Sequence, residues 1–403
     1  MTNAARIYLD NNATTRVVEE AVAAMLPLYT EEYGNPSSAH AFGAAAGKGM
    51  RAARKAMQGL IGAESEAEII FTSGGTEANT TAIRSALAVQ EGRREVIIST
   101  VEHPAILQLC DALEKYEGVK VQRIPVDAQG RLEIEAYRAA LSDRVAVVSF
   151  MWANNETGVI FPVEGLAELA HEFGALFHTD AVQAAGKTPI SVKGTAIDML
   201  SLSAHKFHGP KGVGVLYLKK GVAFQPLLRG GKQERGRRAG TENAPAVTGA
   251  GVAAEIAAAR LADDAPRIAA LRDRLEAGIL NTISHCTVLG APRDRVPNTL
   301  CIAFDLVEGE GIVMKLDRAG IAASTGSACA SGAVEPSHVV RAMGVPFTAA
   351  HGVVRFSISR FTTEDEIDRL LETLPAIVAD LRALSPFWSE NGPNLPGQMP
   401  AAQ

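Results

Sequence analysis

The chain has 403 residues, of which 47% are hydrophobic and 21% are charged, as in an ordinary soluble globular protein. Its 39 Lys and Arg residues against 45 Asp and Glu residues give a net charge of −6, so the chain has no overall attraction to nucleic acid or to an anionic membrane. The cysteines at 110, 286, 301 and 329 form no CxxC pair, which argues against a zinc ribbon or a disulfide scaffold and favours the cytoplasm. The sequence shows neither a membrane-spanning apolar run nor a signal-peptide core.

The first part of the chain alternates short β-branched runs with longer helical patterns. Strands are predicted over 68–71, 95–99, 119–125, 145–150, 176–179, 199–202 and 213–218. Helices are predicted over 76–90, 104–116, 134–141 and 163–173. Several strands are apolar throughout, which is typical of strands covered on both faces. The alternation therefore predicts an α/β fold with a mostly parallel sheet.

The pattern changes after about residue 250. A helix over 251–262 is predicted to break at Asp263-Asp264-Ala265-Pro266 and to be followed by a second helix over 267–283. Strand-like segments near 299–304 and 353–357 and a last helix over 364–384 predict a smaller α+β unit. We therefore predict a large domain over 15–262, a small domain over 1–14 plus 263–388, and a Pro- and Gly-containing disordered tail over 389–403.

A glycine-rich turn follows the first predicted strand of the large domain. In Ser73-Gly74-Gly75-Thr76 the glycines let the backbone approach a ligand closely. The hydroxyl of Thr76 and the unpaired N–H groups of the new helix favour an anion such as a phosphate. A simple turn with Thr76 at the helix N-terminus explains the same residues equally well.

Three further polar turns follow predicted strands. Lys206, with Ser203 and His205 beside it, stands just past a buried strand, where α/β sheets bind ligands, and a partly desolvated lysine is a good nucleophile. Asp180 caps the next helix or holds the protonated nitrogen of a pyridine ring. His103 stacks on an aromatic cofactor and moves protons, or it is an ordinary loop histidine.

Two residues in the second part of the chain are candidates for chemistry. Cys329 stands in a stretch of small residues, Ser324 to Gly332, which packs little, so we expect its thiol to reach a bound substrate. The other three cysteines fit the role of small buried hydrophobic residues. Arg355 lies in an apolar strand and needs a partner, which is either a structural acid or a ligand carboxylate.

Two other patterns are discounted. The segment from Arg229 to Arg238 contains five basic residues among glycines, like an RNA-contacting stretch, but it has no aromatic residue and the protein is acidic. The pair His205 and His208 has no evident third ligand, so no metal site is assigned. We therefore expect neither nucleic acid nor a metal ion as a partner.

These segments together resemble a known family. With Tyr8–Thr15, Gly34–Ser38 and Met151–Gly158, they are similar to the cysteine desulfurases of the class V aminotransferase family, which are fold-type-I pyridoxal-phosphate enzymes. The likeness covers residues from about 6 to 388. The short loop that ends in Cys329 resembles the branch of the nitrogen-fixation (NifS-like) and housekeeping (IscS-like) enzymes, and the end of the chain resembles the nitrogen-fixation type.

The resemblance implies pyridoxal 5′-phosphate as the cofactor and a role for each candidate residue. Lys206 would hold the cofactor covalently, Asp180 its ring nitrogen and Gln183 its ring hydroxyl, while His103 would stack on the ring. The phosphate would be bound by Gly75, Thr76, Ser203 and His205, and by Thr241 from the other subunit of a homodimer. Asn155 would contact cofactor and substrate, Arg355 would hold the substrate carboxylate, and Cys329 would accept the sulfur.

The implied reaction converts L-cysteine to L-alanine and leaves a persulfide on Cys329. The sulfur would then pass to an acceptor protein for iron–sulfur cluster assembly, in particular for nitrogenase maturation, in the cytoplasm. A selenocysteine lyase or another class V transferase is the alternative enzyme, and loss of Cys329 would abolish sulfide release but spare selenide release. A non-enzymatic scaffold that only binds a sulfur acceptor would stay colourless with added pyridoxal phosphate.

Overall fold

A seven-stranded sheet lies at the centre of the fold. The structure, a computed structural model, describes residues 6–325, 335–389 and 392–394. The strands are, in chain order, β1 (Ile7–Tyr8), β2 (Ile69–Thr72), β3 (Glu95–Ser99), β4 (Lys120–Ile124), β5 (Val145–Met151), β6 (Leu176–Asp180), β7 (Met199–Ser203), β8 (Gly214–Leu218), β9 (Cys286–Leu289), β10 (Thr299–Phe304), β11 (Ile321–Ala322), β12 (Val353–Ser357), β13 (Trp388–Ser389) and β14 (Gly392–Pro393). The order across the central sheet is β2-β8-β7-β6-β5-β3-β4. Only β8 is antiparallel to its neighbours, so the predicted mostly parallel α/β sheet is confirmed.

Helices connect the strands and cover the sheet. They are α1 (Glu19–Met25), α2 (Pro27–Thr30), α3 (Ala41–Ile61), α4 (Gly75–Val89), α5 (Pro104–Glu117), α6 (Ile134–Ala140), α7 (Val163–Glu172), α8 (Ala244–Thr282), α9 (Gly309–Arg318), α10 (His338–Ala342), α11 (Phe347–Ala350) and α12 (Glu364–Leu384). Each strand and helix predicted before residue 220 differs from the observed element by at most one residue at either end. Buried apolar runs and capping residues therefore define these elements locally.

Both faces of the central sheet are buried. Along β3, Val96 and Ile98 pack into one hydrophobic cluster, whereas Ile97 packs into another on the opposite face. Val147 and Val148 of β5 divide in the same way. Because successive side chains of a strand point to opposite faces, this division shows apolar layers on both sides of the sheet.

A second, smaller layer has its own apolar core. Its antiparallel sheet has the order β12-β10-β9 and packs with the second half of α8, with α9 and with α12. Ile7 and Leu9, from the start of the described chain, belong to this cluster. The strand over 299–304, the strand over 353–357 and the helix over 364–384 lie where the sequence predicts them. The division into domains at 15–262 and at 1–14 plus 263–388 stays a prediction.

The predicted helix break at residues 263–266 is wrong. Helix α8 runs without interruption for 39 residues and contains Pro266. An interior proline costs about 3 kcal/mol, because it removes one backbone hydrogen bond and crowds the preceding turn. Packing on both sides offsets this cost: the first half of α8 packs on α3 and α1, and the second half packs on α12. Buried Asp264, beside the proline, also pairs with Arg360 (Oδ2 to Nε, 3.2 Å).

The end of the chain is described only in part. Trp388–Ser389 pairs with Gly392–Pro393 in a short antiparallel hairpin. The other residues of the predicted disordered tail, 390, 391 and 395–403, lie outside the described residues. Within the described part of the chain, no helix combines the length and the apolar character that a membrane span requires.

Candidate active site

The site lies where the parallel strands of the central sheet end. Asp180 is the last residue of β6, and Ser203 is the last residue of β7. The loops that follow β2, β3 and β5 open at the same edge, because these strands run in the same direction. A ligand site is expected at this edge of an α/β sheet.

A cavity of about 420 Å³ at this edge brings most of the predicted residues together, and its size is that of a small-molecule site. The predicted residues that line it are Gly75, Thr76, His103, Asn155, Asp180, Gln183, Ser203, His205, Lys206 and Arg355. Thr241 is exposed and lines a different cavity, beside Arg238. Cys329 lies outside the described residues.

One end of the cavity is suited to a phosphate. Helix α4 starts at Gly75, and the N–H groups of a first helical turn have no partner within the helix. A methyl group added to Gly75 would stand 3.0 Å from Cγ2 of Val182, so only glycine leaves this space open. His205 is held by Thr14 (Nδ1 to Oγ1, 3.1 Å), and burial, aided by the charge of Lys206, lowers its pKa to about 4. A neutral His205 can therefore act as a hydrogen-bond donor at this end.

The carboxylate of Asp180 is fixed by two donors. Its Oδ1 accepts from the backbone N–H of Val182 (3.0 Å), and its Oδ2 accepts from Nδ2 of Asn79 (2.7 Å). The expectation that Asp180 caps a helix is wrong, because turns rather than a helix follow β6, and the side chain holds one of these turns. The buried Oδ1 of Asn79 has no hydrogen-bond partner among the described residues. The carboxylate still lines the cavity, where an oriented acceptor can pair with a cationic ring nitrogen.

The side-chain amine of Lys206 is held by backbone carbonyls near the start of the described chain. Its Nζ donates to the backbone carbonyls of Asn12 (2.6 Å) and Ala13 (2.8 Å). The side-chain amide of Gln183 donates to the same Asn12 carbonyl (3.0 Å). The motif at residues 8–15 therefore contributes backbone acceptors that orient the lysine and the glutamine, which only the tertiary structure shows.

His103 is held in one tautomer. Its Nδ1 accepts from the N–H of Ala105 (3.1 Å) and caps helix α5, which leaves the proton on Nε2. Burial lowers the pKa of His103, and the charges of Lys206 and His338 lower it further, against the opposing effect of Asp180. The ring is therefore neutral near pH 7, with one N–H available in the cavity.

Arg355 is buried and presented to the cavity by two acceptors. Its Nη2 contacts Oδ1 of Asp10 (2.7 Å), and its Nη1 donates to the carbonyl of Asn155 (3.0 Å). The buried Nε has no hydrogen-bond partner among the described residues. Arg355 therefore has the structural acid that one sequence interpretation requires, and it also lines the site. Its role toward a ligand carboxylate stays a prediction.

The described residues on both sides of the segment that contains Cys329 form hydrogen bonds with residues in or next to the cavity. Before the segment, Ser324 and Arg355 exchange backbone hydrogen bonds (2.6 and 3.2 Å). After it, the hydroxyl of Ser337 donates to Oε1 of buried Glu156 (2.7 Å), and Nε2 of His338 contacts the carbonyl of Glu102 (2.9 Å). Glu156 and Glu102 directly adjoin the predicted site residues Asn155 and His103 in the chain.

Two buried acids that the sequence does not single out lie outside the predicted set: Glu102, next to His103, and Glu234, in the basic loop, the segment from Arg229 to Arg238. Glu102 is completely buried; its Oε1 accepts from Ser99 (2.6 Å) and from the N–H of Met151 (3.0 Å), and burial raises its pKa to about 8. Glu234 is buried in the basic loop and accepts from both terminal nitrogens of Arg54 (2.6 and 2.8 Å). The sequence signal for Glu102 is its place next to His103, whereas Glu234 has no such signal, since its partner Arg54 is 180 residues away.

Most basic side chains of the basic loop contact acidic side chains or backbone carbonyls of the chain. Arg238 donates to both oxygens of Glu77 in the first turn of α4 (2.8 and 3.1 Å). Arg237 donates to backbone carbonyls, and Arg235 lies 3.7 Å from Glu66. These contacts give the basic residues a structural role. Among the described residues, no group of three or more His, Cys, Asp or Glu is placed to hold a metal ion.

The cavity fits pyridoxal 5′-phosphate. It offers a glycine cradle at a helix start, a fixed carboxylate, a neutral histidine and a lysine amine, with the unpartnered Oδ1 of Asn79 at its wall. The fold is that of the fold-type-I pyridoxal-phosphate enzymes. A family model described as Aminotransferase class-V matches residues 7–370, and the chain belongs to this family.

Individual relatives are similar over nearly the whole chain. A cysteine desulfurase of Cereibacter sphaeroides is 68% identical over 385 residues, which are 96% of this chain and 99% of that protein. The cysteine desulfurase NifS of Azotobacter vinelandii is 59% identical over 389 residues, which are 96% of each chain. A solved structure described as a NifS-like protein is 38% identical, with a TM-score of 0.87 over 93% of this chain and 100% of the other.

Proposed function

We propose that this chain is a pyridoxal-phosphate-dependent cysteine desulfurase that converts L-cysteine to L-alanine and a persulfide on Cys329. The observation that carries the proposal is one cavity that holds Lys206, Asp180 and Arg355 together, in a chain 68% identical to a cysteine desulfurase. A lysine for the aldehyde, an acid for the ring nitrogen and an arginine for the carboxylate are what an amino-acid substrate requires.

The residues around the cavity divide into groups by the part of the cofactor that each would hold. Lys206 would bind its aldehyde carbon, Asp180 its ring nitrogen and Gln183 its ring oxygen, with His103 against the ring face. Gly75, Thr76, Ser203 and His205 would bind its phosphate. Once bound, the cofactor supplies an electron sink that stabilises negative charge at the substrate carbon.

Residues of the chain would bind and orient L-cysteine. Arg355, held by Asp10 and by the carbonyl of Asn155, would grip the carboxylate, and the Asn155 side chain would contact it from the cavity wall. The amine of Lys206, set free from the cofactor, would take the proton from the α-carbon. The neutral His103, with its proton on Nε2, would pass protons at the same site.

Cys329 would take the sulfur. Its thiolate would attack the substrate sulfur, so that an S–S bond forms while the C–S bond breaks and its electron pair stays with carbon, which a proton converts to the methyl group of alanine. The three described cysteines are poor nucleophiles, because burial raises the pKa of Cys286 and Cys301 and raises that of Cys110 to about 12. Cys329 is five residues from Ser324, whose backbone is hydrogen-bonded to Arg355 at the cavity. Five residues of chain span at most about 18 Å, which limits how far the thiol is from this point.

The persulfide would then give its outer sulfur to an acceptor protein for iron–sulfur cluster assembly. The 59% identical NifS supports nitrogenase maturation as the purpose. The net charge of −6 agrees with small molecules and proteins, rather than nucleic acids, as binding partners. We place the reaction in the cytoplasm. We also propose a homodimer in which Thr241 of one subunit contacts the cofactor phosphate of the other. Its exposure away from its own cavity supports this arrangement.

The test incubates the purified, cofactor-loaded chain with L-cysteine and measures alanine and the persulfide of each cysteine by mass spectrometry. Alanine and a persulfide on Cys329 should form together. In Cys329→Ala, sulfide release should be lost, whereas the matched Cys286→Ala variant should behave as the wild type. If the wild-type chain forms alanine while its Cys329 stays unmodified, the proposed sulfur transfer is contradicted.

A further inference from the structure

A second lysine lies behind the candidate active site. Lys187 is four residues after Gln183, and its Nζ donates to Oε1 of Gln183 and to Oδ1 of Asn12 (3.1 Å). Both acceptors are amide oxygens rather than carboxylates. The functions proposed above give Lys187 no role, although burying an ammonium group without an acid is costly.

The surroundings of Lys187 disfavour its charge. Burial lowers its pKa well below the ordinary lysine value, and the charges of Lys206 and Arg355 lower it further. His205 and His208 are also close, and burial lowers the pKa of each to about 4, so both are neutral near pH 7. A small cavity of about 30 Å³, which Lys187 and Lys206 share, has Asp264 and Arg360 on its other wall.

Lys187 and the Asn12 carbonyl together fix the Gln183 amide. Because Oε1 accepts from the lysine, the NH₂ group is the end that faces the Asn12 carbonyl (3.0 Å) and the main cavity. Without Lys187, only the Asn12 carbonyl would hold the amide, and its NH₂ group would be less firmly directed. A donor stabilises a negatively charged ring oxygen, and an acceptor repels it.

Asn12 extends this arrangement to Lys206. The Oδ1 of Asn12 accepts from Lys187 and Asn298 (3.0 Å), and its Nδ2 donates to Thr299 (2.8 Å) and to the carbonyl of Asn155 (3.1 Å). With every side-chain group paired, the residue has one orientation. Its backbone carbonyl is the one that accepts from the Lys206 amine (2.6 Å).

We propose that Lys187 is a positioning residue of this site, which holds the Gln183 amide and the Asn12 side chain in the orientation that the bound cofactor and Lys206 require. This inference rests on the proposed function, because it concerns the same cofactor. One effect follows from the contacts: the Gln183 donor stays directed at the ring oxygen of the bound cofactor. A donor there stabilises a negatively charged ring oxygen, so it lowers the pH at which the bound cofactor loses its proton.

The experiment loads the purified full chain with pyridoxal 5′-phosphate and follows its visible absorption against pH, with the dissociation constant of the cofactor measured in parallel. In Lys187→Met, the midpoint of the absorption change should rise by about one pH unit, and the cofactor should bind about tenfold more weakly. Lys187→Arg keeps N–H donors for Gln183 and Asn12, so its midpoint should return toward the wild-type value. The matched control is Lys193→Met, which removes an exposed lysine nearby.

The outcomes separate this inference from the proposed function. An unchanged midpoint and an unchanged dissociation constant in folded Lys187→Met would overturn it, as would an equal shift in Lys193→Met. If Lys187→Met does not fold, Lys187→Gln is measured in its place, with the same expected rise and the same refuting result. A wild-type chain that takes up no cofactor would overturn the proposed function itself, and the inference with it.

Discussion

Asp10 and Arg355 form an ion pair with 2.7 Å between Oδ1 and Nη2. Asp10 lies just past β1, and Arg355 lies in β12, so the pair joins residues 345 positions apart in the chain. Only 2% of Arg355 is exposed, and its other terminal nitrogen donates to the carbonyl of Asn155. A planar guanidinium with several donors can satisfy these two acceptors and a substrate carboxylate at once, which an ammonium group cannot do.

Replacing Arg355 by lysine is therefore expected to weaken substrate binding. Arg355→Lys should raise the KM for L-cysteine by about 10- to 100-fold, because a charge-assisted hydrogen bond is worth about 1.5–3 kcal/mol. Steady-state alanine formation measures this effect. The same change at the exposed Arg138 is the control and should leave KM unchanged. An unaltered KM in Arg355→Lys would mean that the carboxylate binds elsewhere.

The buried His178 should make the protein sensitive to acid. Its ring contacts Ser149 (2.8 Å) and Ser201 (2.9 Å), and burial lowers its pKa to about 3. Because the folded-state pKa is below the unfolded value of about 6.5, the stability from the neutral ring is fully present above pH 6.5 and is lost as the pH falls toward 3.

Urea unfolding at several pH values tests this expectation. Between pH 6 and pH 4, the wild type should lose about 1.4 kcal/mol per pH unit more than His178→Gln, which bears no titratable group there. The exposed variant His40→Gln serves as the control and should keep the wild-type slope. Parallel slopes in the wild type and His178→Gln would show that His178 does not cause the acid loss.

The pair between Glu234 and Arg54 should stabilise the basic loop. Glu234 is buried, also accepts from the N–H of Phe71 (3.0 Å), and has a positive φ of 49°. Glu234→Gln leaves the Arg54 charge without its acid and should lower the free energy of unfolding by about 3–5 kcal/mol. The half-exposed pair of Glu66 and Arg235, 3.7 Å apart, is the internal comparison, and Glu66→Gln should cost less than about 1 kcal/mol. Equal losses in denaturant unfolding would contradict this ranking.

The hydroxyl of Ser337 should matter for sulfur transfer rather than for cofactor binding. It donates to Glu156 and also caps α10 by accepting from the N–H of Val339 (3.1 Å). Ser337→Ala should slow persulfide formation on Cys329 about tenfold, by the loss of a charge-assisted hydrogen bond, and leave the visible spectrum of the bound cofactor unchanged. Rapid-quench mass spectrometry measures the rate.

Two comparisons make the Ser337 result interpretable. Ser337→Thr retains a hydroxyl and should retain most of the rate, and Ser191→Ala, at an exposed position, should retain all of it. A Ser337→Ala variant with a wild-type persulfide rate would show that this anchor does not position the cysteine segment.

The sequence allows most of the central sheet and the cavity to be predicted, for a physical reason. Strands such as β5 are mostly apolar, so the polar turns that follow them stand out, and parallel strands bring those turns to one edge. That is how Asp180, Ser203 and Lys206 could be predicted to lie together. Their individual roles depend on a ligand and stay predictions.

The residues that were missed act through partners distant in the chain. Lys187 stands in an ordinary turn, and its contact with Asn12, 175 positions earlier, appears only in the tertiary structure, where the lysine is half-buried. Glu102 stands in a recognised motif, yet its acceptor role depends on the N–H of Met151 in another strand. The proline in α8 failed as a predictor of a break because local propensity is weaker than packing along both halves of a long helix.

The uninterrupted helix α8 has a consequence for any attempt to divide the protein. One half of the helix fills the interior beside α3, and the other half fills the interior beside α12. A shortened chain ending at residue 262 would keep the sheet but cut this helix in its middle, while the complementary piece would begin without its leading turns. Neither fragment is expected to be obtained alone as folded protein, so truncation is a poor way to separate cofactor binding from sulfur delivery.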